Sequence, residues 1–305
     1  MERSELRLLQ GLDLEIKILK SKQRIREWYE FHCGKVYVSF SGGADSTALL
    51  KLVRSIYPNV EAVFIDTGLE FPEIRDFVKT IDNVVWLKPK IPFTQVLSKY
   101  GYPVISKEQS QFISQYRNAK SEKTKFTRLN GNKYGRGKIS EKWKYLLNAP
   151  FKISDKCCDI MKKNPAKAYE KKTGNAPFIG KMADESQKRI QDYLRTGCNA
   201  FENKRPISTP LGFWKKEDVW EYLKIYDVPY SKIYDMGYKA TGCMFCMYGV
   251  TYEKGENRFQ LMQKTHPKQH EYCMGNLGLA KVLDYIEVPY ESQISIDDYL
   301  SRKVI

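Results

Sequence analysis

Two groups of residues in this chain have the types and spacing to do chemistry. One is made of cysteines: Cys157 and Cys158 are adjacent in "DKCCDIMKKNP", and Cys243 and Cys246 form a C-x-x-C beginning 85 residues after Cys158. Four thiolates in two pairs meet the ligand count of a structural zinc or of a [4Fe–4S] cluster. The other group lies in "VYVSFSGGADSTALLKLV", residues 36–53. Val36 to Phe40 is β-branched and aromatic and predicts a strand. From Ala48 to Val53 apolar residues recur at helical spacing. Between the two, Ser41, Gly42, Gly43, Asp45, Ser46 and Thr47 form a turn that ends at a helix N-terminus. Outward-pointing N–H groups and the helix dipole favour an anion there, with phosphate the obvious guest. Asp45 is the odd member, because an acid beside phosphate repels it unless a cation such as Mg²⁺ or the helix N-terminus intervenes. Its plainer role is a helix cap.

Further elements must hold these residues in place. Residues 4–31 read as helix. Strand-like runs follow at 60–66 ("VEAVFID"), 83–89 ("NVVWLKP") and 176–182 ("APFIGKM"), each near an amphipathic or charged helical stretch. Strands alternating with helices predict a parallel sheet covered on both faces. Ligands of such sheets bind beyond the carboxyl ends of the strands. The turns at 41–47 and at Asp66–Gly68 both lie at such ends and point at one site. In the later part, Val219, Trp220, Leu223 and Tyr226 make a helical core stripe. The chain reads as helical on both sides of Pro267.

Bulk composition narrows the class. The 305 residues are 42% hydrophobic and 13% aromatic, which predicts a folded globular protein. No apolar run approaches the roughly 20 residues needed to span a bilayer, so no membrane partner is expected. The charged N-terminus lacks a signal-peptide pattern, and the expectation is a cytoplasmic protein whose seven cysteines are ligands or free thiols. Cys33 and Cys273 are expected to be buried or neutral, and Cys198 is a candidate working thiol. The three histidines are expected in surface or capping roles. The net charge of +15 suits a polyanionic partner or an electropositive nucleotide site, with general solubility as the plainer alternative. Residues 106–149 are rich in Lys and Arg and poor in acids. They read either as a solvated, mobile insertion or as an arm that grips RNA or DNA.

The turn is neither a Walker loop nor a G-x-G-x-x-G loop. "SFSGGADS" resembles the S-G-G-x-D-S pyrophosphate (PP) loop of the ATP pyrophosphatases, or adenine nucleotide α-hydrolases. With "FIDTGLEFPE", "PLGFWKKEDVWEYLKIYDVPYSKIYDMGY" and "GCMFC" in order over roughly residues 35–250, the chain resembles the phosphoadenosine phosphosulfate (PAPS) reductase family. The resemblance implies a Rossmann-like α/β fold, a parallel sheet with helices on both faces. It further implies an N-terminal helical segment 1–34, a nucleotide-binding domain 35–250 carrying the insertion and the cysteines, and a helical segment 251–305. Ser39, Ser41, Gly42, Gly43, Asp45, Ser46 and Thr47 would cradle phosphates, with Asp66, Thr67 and Gly68 beside the adenosine. The C-C and C-x-x-C pairs resemble those of the cluster-binding members, which favours [4Fe–4S] over zinc at Cys157, Cys158, Cys243 and Cys246. Lys162 and Pro165 match positions following that family's C-C pair.

The chain also departs from the family. The sulfonucleotide reductases carry a nucleophilic cysteine in a C-terminal E-C-G-[IL]-H segment, and "ISIDDYLSRKVI" contains none. Met182 stands at an arginine position of their G-x-R-x-x-Q-S-x-x-R motif, read here as "GKMADESQKR", and Met161 replaces another arginine. Related families use the same loop to adenylate an acceptor, release pyrophosphate and insert sulfur or nitrogen. The expected function is therefore an iron–sulfur enzyme binding ATP or an adenylyl sulfate-type nucleotide, acting in sulfur transfer or nucleic-acid or nucleotide modification. Asp45, Lys162 and Arg189 are its candidate catalytic residues and Lys181 a further phosphate contact. Its expected partners are tRNA or DNA through residues 106–149 and a sulfur or electron donor protein. The alternatives are a sulfonucleotide reductase using an unusual thiol such as Cys198, or a non-catalytic nucleic-acid- or nucleotide-binding protein.

Overall fold

The computed structural model describes residues 2–292; the stretch 293–305 of the expected C-terminal helical segment lies outside the described residues. The chain divides into two compact units, each made from two stretches: Met1–Pro89 with Lys162–Thr241, and Lys90–Met161 with Gly242–Ile305.

The first unit contains a six-stranded sheet of β1 (Val36–Phe40), β2 (Ala62–Ile65), β3 (Val84–Leu87), β4 (Ala176–Ile179), β5 (Asn199–Ala200) and β6 (Ile207–Ser208). Their spatial order is β3-β2-β1-β4-β6-β5, all neighbours parallel except β5 and β6. The α/β, mainly parallel sheet expected from the alternation is present. From β1 the chain builds outward to β2 and β3 on one side, then crosses to β4 on the other. The reversal leaves a crevice at the carboxyl end of β1, the usual ligand position in such sheets. β1 and β2 are buried at nearly every position, as central parallel strands must be. β3 is an edge strand and leaves Trp86 37% exposed. β5 and β6 had no sequence signal, because two residues show no period.

The expected helix 4–31 is two helices, Arg3–Gln10 and Leu14–Phe31. Gly11 caps the first, and Asp13 precedes the second in extended conformation, so the chain turns between them. Leu14–Phe31 packs through Ile25 and Trp28, both fully buried, and through Lys17. The Lys17 ammonium donates to both Asp218 oxygens at 2.8 and 2.7 Å, tying this helix to the helix Lys216–Ile225. On the latter Val219 and Leu223 are core as expected, whereas Tyr226 is 46% exposed and leaves the stripe at its last turn.

The second unit is mainly helical. Residues 106–149 form the helices Lys107–Asn118 and Glu122–Asn130 and a 3₁₀ segment Glu141–Asn148. Ile113, Ile139, Trp143 and Leu146 from this stretch are buried. Arg117 donates to the Phe151 and Ala149 carbonyls, and Arg128 to Gln115 and the Gly137 carbonyl. The stretch is thus in part a packed element: two of its cations are structural pins and these four apolar residues join a core, while further cations and Phe126, 63% exposed, face solvent. The two stretches of the unit meet where the Gly249 N–H donates to the Ile105 carbonyl and where Phe93 packs edge-on against Phe245. The helices Arg258–Thr265 and Pro267–Glu271 flank Pro267 as expected. Among the described residues no helix is long and apolar enough to cross a membrane.

Candidate functional site

The crevice at the end of β1 is filled by the loop Ser41–Thr47. Gly42 adopts φ +71°, and a β-carbon there would meet Ile74 Cγ2 at 2.9 Å and Val78 Cγ2 at 3.0 Å. Only glycine fits without displacing the helix Pro72–Lys79. Gly43 is the N-cap of the helix Ala44–Arg54, and a side chain there would run into the Thr241 hydroxyl. This corrects the capping role considered for Asp45, which lies inside the first turn.

The Gly43, Ala44, Asp45 and Ser46 N–H groups precede the first helical hydrogen bond, Thr47 N–H to Gly43 O. Ser41 Oγ accepts weakly from Gly43 at 3.4 Å, and the Tyr234 hydroxyl accepts from Ala44 at 2.8 Å. The Ser46 and Thr47 hydroxyls both donate to the Gly43 carbonyl, and Ser46 Oγ accepts from the Ser41 N–H. The loop is thus held in shape by its own hydroxyls, with amides directed out of the helix end. Ser39 is the penultimate residue of β1 and lies half-buried behind it.

Neighbouring strand ends complete the surroundings. After β2, the Gly68 N–H donates to Asp66, and the Thr67 N–H and hydroxyl donate to the buried Glu70. Arg75 pairs with Asp66 at 3.0 Å, and Lys162 lies 3.9 Å from Glu70. After β4, Gly180 packs so closely on the loop that a β-carbon would lie 3.0 Å from the Asp45 carbonyl. Lys181 follows and pairs with Asp192 at 3.1 Å. Arg189 is ion-paired with Glu185 one turn back on its own helix; burial lowers its pKa while the Asp45 charge counteracts this. The structure therefore gathers the loop, the 66–68 turn, Lys162, Lys181 and Arg189 around adjacent strand ends.

Two residues at this site were missed. Lys216 pairs with Asp45 at 2.7 Å, supplying the cation that an acid beside phosphate requires. Tyr234 caps the loop amide, and burial pushes its phenol upward. Both belong to the segment "PLGFWKKEDVWEYLKIYDVPYSKIYDMGY", but nothing local in that segment marks them as partners of the loop.

Cys157, Cys158, Cys243 and Cys246 all belong to the second unit. Cys157 and Cys158 sulfurs lie 3.9 Å apart, and the Cys246 N–H closes the C-x-x-C turn on the Cys243 carbonyl. The Cys157 thiol is pushed strongly upward by its hydrogen bond to Cys158, by burial, and by the charges of Cys158, Cys246 and Cys243. Burial, then Cys243, pushes Cys246 up to about 11, opposed by the Tyr248 N–H. In donor chemistry alone the two pairs supply the four thiols of a four-thiolate group. Among the described residues, no three His, Cys, Asp or Glu side chains are drawn together closely enough to hold a metal ion.

The remaining cysteines and histidines differ from expectation in part. Cys33 is exposed, because it lies in the turn that leaves the helix Leu14–Phe31. Cys273 is fully buried, as expected. Cys198 is 7% exposed and its thiol is pushed up to about 11 by burial, which opposes a nucleophilic role. His266 and His270 are buried, not at the surface; His266 holds the expected cap position, ending Arg258–Thr265 and preceding Pro267–Glu271, and bonds Thr265, while His270 bonds the Tyr290 carbonyl.

Comparison with known proteins bears on this arrangement. Residues 35–248 match the family model described as the phosphoadenosine phosphosulfate reductase domain. An uncharacterized protein of Methanocaldococcus jannaschii is 30% identical over 236 residues, covering 74% of this chain and 46% of that protein. The chain thus matches about half the length of that relative. Adenosine 5'-phosphosulfate reductase 2 of Bacillus subtilis is 26% identical over 230 residues, 73% of this chain and 77% of that one. The solved phosphoadenylyl-sulfate reductase of Candida auris, in a phosphate complex, aligns over 80% of this chain and 96% of its own, at 20% identity and a TM-score of 0.44. With this loop at the end of β1 and its family model matched from Lys35 to Tyr248, the chain belongs to the phosphoadenosine phosphosulfate reductase domain family of the PP-loop superfamily.

Proposed function

We propose that the chain binds ATP through the loop Ser41–Thr47, activates an acceptor by adenylation with release of pyrophosphate, and serves sulfur transfer to a nucleic acid. The observation that carries this reading is the preorganised helix N-terminus at the switch point of the sheet, ringed by Lys181, Arg189 and Lys216. Such a cradle stabilises charge that builds up on a departing pyrophosphate without reorganising. Lys216 neutralises Asp45, Arg189 feels the Asp45 charge, Lys181 follows the Gly180 that packs on the loop, and Lys162 stands by the 66–68 turn that would receive the adenosine. Mg²⁺ accompanying the nucleotide would share the charge neutralisation. Cys157, Cys158, Cys243 and Cys246 would hold a [4Fe–4S] cluster. When bound, such a cluster supplies iron that can ligate or hand on sulfur. The net charge of +15 and the exposed Lys120, Lys123, Lys133, Arg136, Lys138 and Lys142 favour a nucleic acid acceptor.

Sulfonucleotide reduction is the second reading, favoured by the names of relatives such as the Bacillus subtilis protein. Against it stand the burial of Cys198 and of Met182, the latter only 1% exposed where that family's motif has an arginine. A core methionine offers nothing to a sulfate or phosphate.

The test is anaerobic purification followed by separate incubation with ATP and Mg²⁺, PAPS and adenosine phosphosulfate, with and without bulk tRNA or DNA. Iron, sulfide, pyrophosphate and sulfite are quantified together. Pyrophosphate from ATP, stimulated by nucleic acid, is the expected result. Sulfite from a sulfonucleotide overturns it in favour of the reductase. A protein that binds nucleotide or nucleic acid but yields neither product is a binding protein on an enzyme's fold.

A further inference from the structure

The second unit contains a recess of about 600 Å³ that no step above uses. Its lining includes Lys142, Trp143 and Tyr145 from the end of the basic stretch, and Thr251, Tyr285 and Glu287 from the C-terminal stretch. Tyr145 and Tyr285 lie 5.7 Å apart between ring centroids, and Trp143 lies 6.2 Å from Tyr145. Tyr145 is 40% exposed, so one wall offers an aromatic surface to an occupant. The Lys142 ammonium stands 4.7 Å from the Trp143 ring, at the rim where the lysine-rich surface begins.

The polar groups narrow the occupant. Glu253, also in the lining, is already paired with Arg258. Glu287 is exposed, and among the described residues no cation pairs with it. The Thr251 hydroxyl is buried in the wall and finds no hydrogen-bond partner among the described residues, a polar group that an aliphatic occupant would leave unmet. An aromatic wall, a carboxylate and a cationic rim match a nucleobase with its phosphate: the ring stacks, the carboxylate accepts from an exocyclic amine, and the backbone follows the lysines.

We propose that this recess takes one unpaired, amine-bearing nucleobase of a single-stranded nucleic acid. The proposal rests on the nucleic-acid reading above and gives it a point of attachment. Uracil, which presents carbonyl oxygens where Glu287 needs a donor, is disfavoured.

The experiment uses the full chain and fluorescein-labelled 12-mers of oligo(C), oligo(A) and oligo(U) in anisotropy titrations at fixed salt. Wild type is expected to prefer oligo(C) and oligo(A) over oligo(U). Tyr145→Ala weakens binding to the preferred oligomers about tenfold, while Tyr145→Phe, which keeps the ring, restores it. Glu287→Gln, an exposed change that leaves the fold alone, erases the preference against oligo(U). If wild type binds none of the oligomers, the nucleic-acid reading itself falls. If wild type binds but Tyr145→Ala and Glu287→Gln leave affinity and preference unchanged, the recess is not the base site and only this proposal is overturned.

Discussion

Substituting Lys216 by methionine removes the cation that pairs with Asp45 and keeps the length of the side chain. The pair is 2.7 Å apart, with the lysine 35% and the aspartate 24% exposed. Two unit charges at about 4 Å attract by about 4 kcal/mol at an effective dielectric of 20. Partial solvent access and the ordering of a long side chain reduce this to roughly 1–2 kcal/mol, above a fully exposed pair and below a buried one. Unmasked, the carboxylate repels a polyphosphate arriving at the loop by a similar amount, so ATP affinity falls about tenfold. Asp45→Asn in the same chain removes the repelling charge, and the double variant should recover most of the loss. Titration calorimetry with ATP and Mg²⁺ on wild type, both single variants and the double variant measures the coupling directly. If Lys216→Met binds as wild type does, Lys216 masks nothing. If the double variant binds as weakly as Lys216→Met, the lysine acts on the phosphates directly and the masking argument is wrong.

Gly42→Ala forces a left-handed conformation on a side chain that meets Ile74 and Val78, and should lower unfolding stability by about 1–3 kcal/mol, read from the urea midpoint. Lys17→Met leaves the Asp218 carboxylate, 13% exposed, without its cation and held by the Lys215 N–H; a loss of about 3–5 kcal/mol is expected in the same assay, and less when Asp218 is changed to leucine as well. Cys198, raised from 9.0 to about 11 in the folded chain, contributes stability that is complete below pH 9 and is lost as pH rises through 11, because the unfolded thiol ionises first. Cys198→Ala should flatten that part of the stability profile. Iodoacetamide at pH 7.5 should label Cys33 and spare Cys198 until the chain unfolds, as peptide mass spectrometry can verify.

Much of the site was legible because its signals are local. The strand Val36–Phe40, the glycine turn and the following helix are contiguous, and the switch from a β-branched run to helical spacing marks the loop between them. The strands read at 60–66, 83–89 and 176–182 were found but extended too far: Asp66 and Lys88 lie beyond the last paired residues Ile65 and Leu87, since residue type alone does not mark where pairing ends. The break between Arg3–Gln10 and Leu14–Phe31 was written in Gly11 and Asp13, yet the apolar residues around them masked it. Lys216 and Tyr234 were invisible for a different reason. Their partners in the loop are 171 and 190 residues away; packing of the helix Lys216–Ile225 on the helix Ala44–Arg54 brings up Lys216, and packing of the 3₁₀ turn Lys232–Tyr234 on the helix Pro72–Lys79 brings up Tyr234. Burial was equally illegible for single residues: Cys33 and Cys198 look alike in sequence, yet one is exposed and the other is closed off.

The cations around the loop Ser41–Thr47 share one property that the net charge conceals. Lys216 is paired with Asp45, Lys181 with Asp192, Arg189 with Glu185, and Lys162 lies by Glu70. Each positive group has a carboxylate beside it, so the surroundings of the loop are close to neutral although the chain carries +15. An arriving phosphate therefore gains little from long-range attraction and must be recognised by the loop amides and by cations that exchange a carboxylate for it. The stretch 120–142 is different, since Lys120, Lys123, Lys133, Arg136, Lys138 and Lys142 are exposed along a backbone with few acids. Screening acts on exposed charges and counterion release on phosphate contacts, so salt should separate the two activities. Between 50 and 200 mM KCl, ATP affinity should change by less than about threefold, while affinity for single-stranded nucleic acid should fall by at least about tenfold. Equal slopes for both ligands would mean that the same charges serve both, and the neutral-site argument would fail.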